Sequence, residues 1–297
     1  MTSAVVVGSG PNGLAAALTL ATAGVSVRVI EAAGSPGGGT RSAELTLPGL
    51  LHDECSAFHP LAVDTPFSRA AGLDAHGLEW CWPEIQYAHP LESGDGASAW
   101  RSATDTAADL GRDGPAWQAV FGELADRLDR ISEDLFEPML SLPHHPLDLA
   151  LFGSLSALPA SLLARRWRGP RAQAHGVHPV YAYAHVPSGW PGDATALVEA
   201  QIERFAPGFG ERVLARHVRD VAAMSSYNAN YVGGDIVTGA NTPRQLVARP
   251  RAALDPYWLG TGLLYLCSAA TPPGGGAHGM CGYNAAHSAL RRLTRRG

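Results

Sequence analysis

Ala4-Val5-Val6-Val7-Gly8-Ser9-Gly10-Pro11-Asn12-Gly13, answered by Val25-Ser26-Val27-Arg28-Val29-Ile30-Glu31, is the stretch whose reading decides the fold. Ala4 to Val7 is a β-branched run that predicts a fully buried strand. Pro11 to Ala23 is rich in Ala and Leu and predicts a helix, closed by Gly24 at its C-terminal end. Val25 to Ile30 predicts a second strand. Strand, glycine turn, helix and strand in this order make a βαβ unit with two parallel strands.

Each glycine of the turn has a physical reason. Gly8 permits the tight bend, Gly10 lets a diphosphate approach the backbone, and Gly13 lets the helix pack closely on the sheet. The helix N-terminus offers free N–H groups and partial positive charge to an anion. Glu31, at the end of the second strand, is placed to accept hydrogen bonds from ribose hydroxyls, and its charge disfavours a 2′-phosphate. The pattern therefore points to a bound dinucleotide, with Gly8, Gly10, Pro11, Asn12, Gly13 and Glu31 as cofactor-binding candidates.

Working outward, Pro36-Gly37-Gly38-Gly39-Thr40-Arg41 is a second glycine run, which adds Gly38, Gly39, Thr40 and Arg41 to those candidates. Ile85 to Leu91 and Ala97 to Arg101, around Ser93-Gly94-Asp95-Gly96, predict a hairpin. Asp113-Gly114-Pro115 opens one long predicted helix, with Trp117, Val120, Phe121, Leu124, Leu128, Ile131 and Leu135 as its apolar face. Thr195 to Phe205 reads as an amphipathic helix. Gly262 to Cys267 reads as a buried strand, Thr271 to Gly276 as a Pro/Gly loop, and Gly279 to Leu293 as a closing helix. Arg291, Arg292, Arg295 and Arg296 stand at the negative end of that helix dipole.

Both ends of the chain resemble the phytoene-desaturase-like flavoproteins, in particular the pyridine nucleotide-disulfide oxidoreductase domain-containing protein 2 type. The residues carrying the resemblance are Val6 to Gly13, Glu31 to Arg41, His52 to Pro60, Tyr227 to Ile236 and Leu266 to Ala286. It implies FAD as cofactor and an α/β fold with a Rossmann-type FAD domain assembled from both termini, here residues 1–64 and 255–297. A reduced α+β substrate or cap domain, residues 65–254, is inserted between them. By the same resemblance Gly275, Gly276, Gly279, Met280 and Gly282 lie along the cofactor, where a second helix N-terminus favours the anionic reduced flavin. His52, Asp53, His59 and His278 are the polar residues expected to face the flavin, with His59 and His278 the catalytic candidates. Relatives are longer, and the missing length falls near residues 172–179. A shortened chain of this kind compensates by compact rearrangement, by dimerising, or not at all.

Composition narrows the classes. At 297 residues the chain has ample length for a core. A net charge of −5 gives no reason to expect nucleic acid. All 22 basic residues are Arg, which removes lysine Schiff-base chemistry and the Walker A lysine. Cys55, Cys81, Cys267 and Cys281 form no C-x-x-C pair, so neither a dithiol centre nor a zinc knuckle is expected, and no metal. Reduced thiols and the lack of a secretory leader fit a cytoplasmic protein. Leu149 to Ala164, followed by Arg165, Arg166 and Arg168, has the pattern of a surface-lying segment. Gly153 and Pro159 break its face, so a buried or channel-lining helix is preferred to membrane contact. Three function classes follow. The first is an FAD-dependent oxidoreductase taking hydride from an apolar or amine small molecule; the second is a shortened, inactive flavin-binding or interaction protein. The third, less favoured because it leaves Gly37 to Arg41 and the C-terminal glycine helix unexplained, is an NAD-binding dehydrogenase lacking flavin.

Overall fold

The computed structural model describes residues 2–90, 96–138, 140–158, 182–239 and 242–295. Strand β1 (Ser3–Val7), helix α1 (Pro11–Thr22) and strand β2 (Ser26–Ile30) form the βαβ unit. The strands pair in parallel from Ser3 with Ser26 to Val7 with Ile30. Two short antiparallel pairs follow: β3 (Ser42–Glu44) with β4 (Leu51–Asp53), and, beyond α2 (Pro66–Ala71), β5 (Ile85–Pro90) with β6 (Gly96–Trp100). The second pair is the expected hairpin.

Helices fill most of the remainder: α3 (Ala103–Asp109), α4 (Gly114–Trp117), α5 (Glu123–Asp126), α6 (Leu128–Leu135) and α7 (Pro146–Ser156). Then come α8 (Thr195–Phe205), α9 (Val221–Tyr227), α10 (Pro243–Ala248) and the long closing α11 (Met280–Thr294). Several starts are capped as their sequences dictate, since Thr65, Ser102 and Asp220 each accept the backbone N–H three residues on. Asp148, near the start of α7, receives Arg127 at 2.7 Å and Arg130 at 2.8 Å, which ties α7 to the α5–α6 corner.

The core that positions the site is built where the two chain ends meet. Val6, Ala16, Ala17, Leu20, Val25 and Ala286 form one buried cluster, with Cys267 and Leu290 packed against it. Helix α11 lies against α1 because neither offers bulk at the contact. A Cβ added at Gly282 would overlap the backbone oxygen of Asn12 and come within 2.9 Å of the Ala16 nitrogen. The contact starts in the first turn of each helix and continues through Ala286 toward Leu20. The helices therefore run side by side with both N-termini at one end. Asn284 extends the tie to the middle of the chain, donating to the Phe136 carbonyl at 2.8 Å and to the Tyr257 hydroxyl at 3.1 Å.

Three expectations are corrected. Strand β1 is not fully buried: Val6 is 7% exposed, but Val5 is 62% and Val7 78% exposed. Only the face turned to α1 and α11 is covered, and among the described residues the sheet has two strands. The long helix expected from Asp113 is broken into α4, a wide π turn at Gln118–Gly122, α5 and α6, with a corner at Arg127. Of its apolar stripe Val120 and Ile131 are buried, whereas Leu128 faces solvent. Gly262 to Cys267 forms no strand. It turns back so that Tyr265 makes a lone bridge to Trp258, and Leu263 and Leu264 are exposed, because no strand lies beside it among the described residues. Arg165, Arg166, Arg168, Arg296, Pro159 to Ala164 and the shortened stretch 172–179 fall outside the described residues.

The α1–α11 contact sets up a direct test. Alanine at Gly282 gains about 1 kcal/mol of helix propensity, but its methyl has no room against the Asn12 carbonyl. Overpacking of this kind costs about 1–3 kcal/mol, so a net loss of stability is expected for Gly282→Ala in denaturant unfolding. An unchanged or raised midpoint would show that the two helices are not in backbone contact.

Candidate functional site

The first glycine turn is held from behind by Glu31. Its Oε2 accepts the Ser9 backbone N–H at 2.7 Å and the Ser9 hydroxyl at 2.6 Å, while Oε1 accepts the Ala33 N–H at 2.9 Å. Gly8, at φ +94°, donates to the Ile30 carbonyl at 2.7 Å. The Ser9 hydroxyl, followed by the backbone N–H groups of Ala33 and Ser9, holds the Glu31 carboxyl down to about 2. Its acceptor positions are thus largely used within the chain. Gly13 makes the turn tight, since a Cβ there would overlap the Gly8 carbonyl.

The second glycine run lies directly on the first. Gly37 donates to the Ser9 carbonyl at 3.0 Å, and a Cβ on Gly38 would come within 2.8 Å of the Gly10 Cα. Behind it stands a cluster from the far half of the chain. The Tyr227 hydroxyl donates to the Gly38 carbonyl at 2.9 Å, and Tyr231 fills the space where a Gly39 side chain would project. Arg41 and Arg219 stack on the Tyr227 ring at 4.7 and 4.2 Å. Arg219 also donates to the Glu54 carbonyl at 2.8 Å. A cleft of about 560 Å³ opens beside this cluster, lined by Ser35, Pro36, Arg41, Ser42, Glu54 and Tyr227.

The start of α11 stands next to the start of α1. Gly279, at φ +72°, packs against Phe67 and Ala15. His278 is buried, and its Nδ1 accepts the Met280 N–H at 3.0 Å, which makes it the acceptor at the head of α11. Burial pushes the imidazole down to about 4, against the pull of the Gly274 and Gly275 backbone, so the ring is neutral at pH 7. Phe136 packs on it with ring centroids 5.6 Å apart. Cys281 is buried and pushed up to about 11, so it stays a thiol.

Neither α1 nor α11 carries an acidic residue in its first turn, and neither has a side-chain bond from its N-cap glycine. Near the head of α1 the Asn12 Oδ1 is buried without a hydrogen-bond partner. These features fit a dinucleotide: two positive helix ends on one side, glycine surfaces that a side chain would block, and an acceptor lacking a donor.

Residues 6–68 match the family model of an NAD(P)-binding Rossmann-like domain. The N-terminal unit has a Rossmann-like fold. Over 93 residues, 31% of this chain, the sequence is 40% identical to pyridine nucleotide-disulfide oxidoreductase domain-containing protein 2 of Mus musculus. The same-named protein of Rattus norvegicus is 39% identical over a stretch of the same length. The aligned stretch spans 16% of the length of either relative. Among solved structures, a triple mutant of putrescine oxidase with redesigned cofactor binding matches at 23% identity, covering 50% of this chain and 30% of that one, with a TM-score of 0.26. Wild-type putrescine oxidase bound to putrescine matches at 22% identity, covering 51% and 33%, with a TM-score of 0.27.

The structure brings Gly8, Gly10, Pro11, Asn12, Gly13, Gly38, Gly39, Thr40 and Arg41 together, and sets Gly279, Met280 and Gly282 against α1. Gly276 lies beside the His278 ring. The remaining polar candidates each pair with a nearby side chain: His52 with Thr46 at 2.7 Å, Asp53 with Ser42 at 3.1 Å, and His59 with Ser56 at 3.3 Å. Sequence reasoning assigned no role to Ser9, Arg219, Tyr227 or Tyr231. Among the described residues no His/Cys/Asp/Glu group could hold a metal, and no helix is long and apolar enough to cross a membrane.

Two acid-sensitive windows follow. His278, lowered on folding, contributes stability that is complete above pH 6.5 and is lost as pH falls toward 4. Glu31, also lowered, contributes stability that is complete above pH 4.5 and is lost as pH falls toward 2. Unfolding measured across this range should show both losses; His278→Gln should shrink the upper one and Glu31→Gln the lower one, with His287 and the lowered carboxyls of Asp134, Asp148, Asp193 and Glu203 supplying the remainder. A profile flat from pH 7 to 4 in the wild type would exclude a buried neutral His278.

Proposed function

We propose that this chain is an FAD-dependent oxidoreductase that takes hydride from a small apolar or amine substrate. The observation that carries the reading is the side-by-side placement of two helix N-termini, from opposite ends of the chain, beside a doubled glycine turn. Gly10, Pro11, Asn12 and Gly13 at α1, Gly38, Gly39, Thr40 and Arg41 at the second turn, and Gly276, Gly279, Met280 and Gly282 at α11 would hold the dinucleotide. Bound FAD would supply the electron-accepting chemistry. The α1 and α11 N–H groups bind the anionic parts, and Arg41 adds positive charge near the diphosphate. Asn12 Oδ1 accepts a cofactor hydroxyl. Glu31 accepts a ribose hydroxyl while it braces Ser9.

His278, with its Nδ1 committed to Met280, orients the head of α11 rather than carrying a proton; His59 is left as the catalytic candidate. On this reading residues 1–64 and 255–297 form the FAD domain and 65–254 a substrate domain. The uncovered Val5–Val7 face favours one second reading, a shortened flavin-binding or interaction protein without turnover.

Purified full-length chain decides between them. Heat release followed by mass identification should give FAD near one per chain, and anaerobic addition of a competent apolar or amine substrate should bleach the flavin. FAD bound but never reduced by any such substrate supports the second reading, and a colourless protein that refuses added FAD removes both. Gly10→Ala sharpens the test. Gly10 has φ −69°, which alanine accepts, and its Cβ would meet the Gly38 Cα at an ordinary 3.7 Å. The variant should fold with unchanged stability yet bind FAD at least about tenfold more weakly, because the methyl stands where the diphosphate approaches.

A further inference from the structure

The Gly38–Gly39 peptide is the least constrained link in the site by sequence and among the most constrained by contact. Glycines on both sides of a peptide let it rotate at little steric cost. Here its carbonyl oxygen accepts two side-chain donors, Tyr227 Oη at 2.9 Å and Arg41 Nε at 2.9 Å. Both lone pairs of that oxygen are therefore used. In a planar trans peptide the N–H points opposite to the C=O, so the Gly39 N–H is directed away from Tyr227. Turning the peptide over would break both bonds.

The donors are themselves held. The Tyr227 ring is stacked on by both the Arg41 and Arg219 guanidinium groups, and Arg219 is anchored on the Glu54 backbone. Glu54 in turn donates its N–H to the Arg41 carbonyl at 2.8 Å, and Ser56 donates to the Gly39 carbonyl at 3.2 Å. The turn is thus held at its Gly37, Gly38, Gly39 and Arg41 carbonyls.

We propose that Tyr227 is a positioning residue for the dinucleotide: with Arg41 it locks the Gly38–Gly39 peptide, keeping the Gly39 N–H available to an anionic diphosphate. The proposal rests on the cofactor reading above and adds a residue from the far half of the chain to it. The predicted signature is selective. A lock that serves the diphosphate matters for FAD and ADP and not for adenosine, which shares the nucleoside and lacks the phosphates.

The experiment compares wild type with Tyr227→Phe, which keeps the ring that both guanidinium groups stack on and removes only the hydroxyl. FAD affinity is read by fluorescence titration, and ADP and adenosine by competition. Expected are FAD and ADP binding weakened by about five- to tenfold, the worth of one hydrogen bond, with adenosine unchanged. Unaltered FAD and ADP affinity overturns the proposal, and so does a parallel loss for ADP and adenosine. If wild type binds neither FAD nor ADP, the cofactor reading fails by itself. The lock is then judged by backbone 15N relaxation at Gly39: a lowered order parameter in Tyr227→Phe at unchanged global stability upholds the pinned peptide, and an identical one rejects it.

Discussion

The rest of the site depends on one backbone-to-backbone approach, that of α11 to α1 at Gly282. Side chains normally keep packed helices 8–10 Å apart. Without a Cβ at Gly282, the first turn of α11 rests on the Asn12 carbonyl. That contact brings together residues from opposite ends of the chain and aligns two helix N-termini. Two such ends next to each other repel, since each carries about half a positive charge. The packing of Val6, Ala16, Leu20 and Ala286 holds them against that repulsion. Charge strained in this way is what an anionic ligand relieves.

Around this pair the loops are fixed by polar contacts more than by apolar burial. Glu31 braces the first glycine turn through Ser9, and Ser9 braces the second through Gly37. Tyr227, Arg41 and Arg219 close the second turn from outside. His278 finishes the head of α11 as an acceptor in place of a side-chain cap. A small core thus aligns the helices, and hydrogen bonds set the turns that would meet a ligand.

How much of this the sequence revealed depended on how local each signal is. The βαβ unit, the β5–β6 hairpin, α8 and α11 were legible because each is written in a continuous pattern of strand run, turn residues or helical spacing. The break in the 113–135 helix was not. The apolar stripe runs through it unbroken, while the π turn depends on Gly122 packing against Gln118. Gly262 to Cys267 has the apolar composition of a strand but no strand to pair with among the described residues. The glycine candidates were found because each occupies a recognisable turn. Tyr227 and Arg219 escaped because their partners lie 189 and 165 residues away. Tyr227 stood inside a stretch carrying the family resemblance, but nothing in that stretch says which carbonyl its hydroxyl meets.

The two-stranded β1–β2 sheet has a consequence of its own. Val5, Val7 and Ile30 stand on a surface open to water, beside backbone groups arranged to accept another strand. A short parallel ribbon with apolar side chains is a template for intermolecular zippering, and flanking Arg28 is the one charge in it that opposes stacking. Self-association through this ribbon would rise with protein concentration and with salt that screens Arg28.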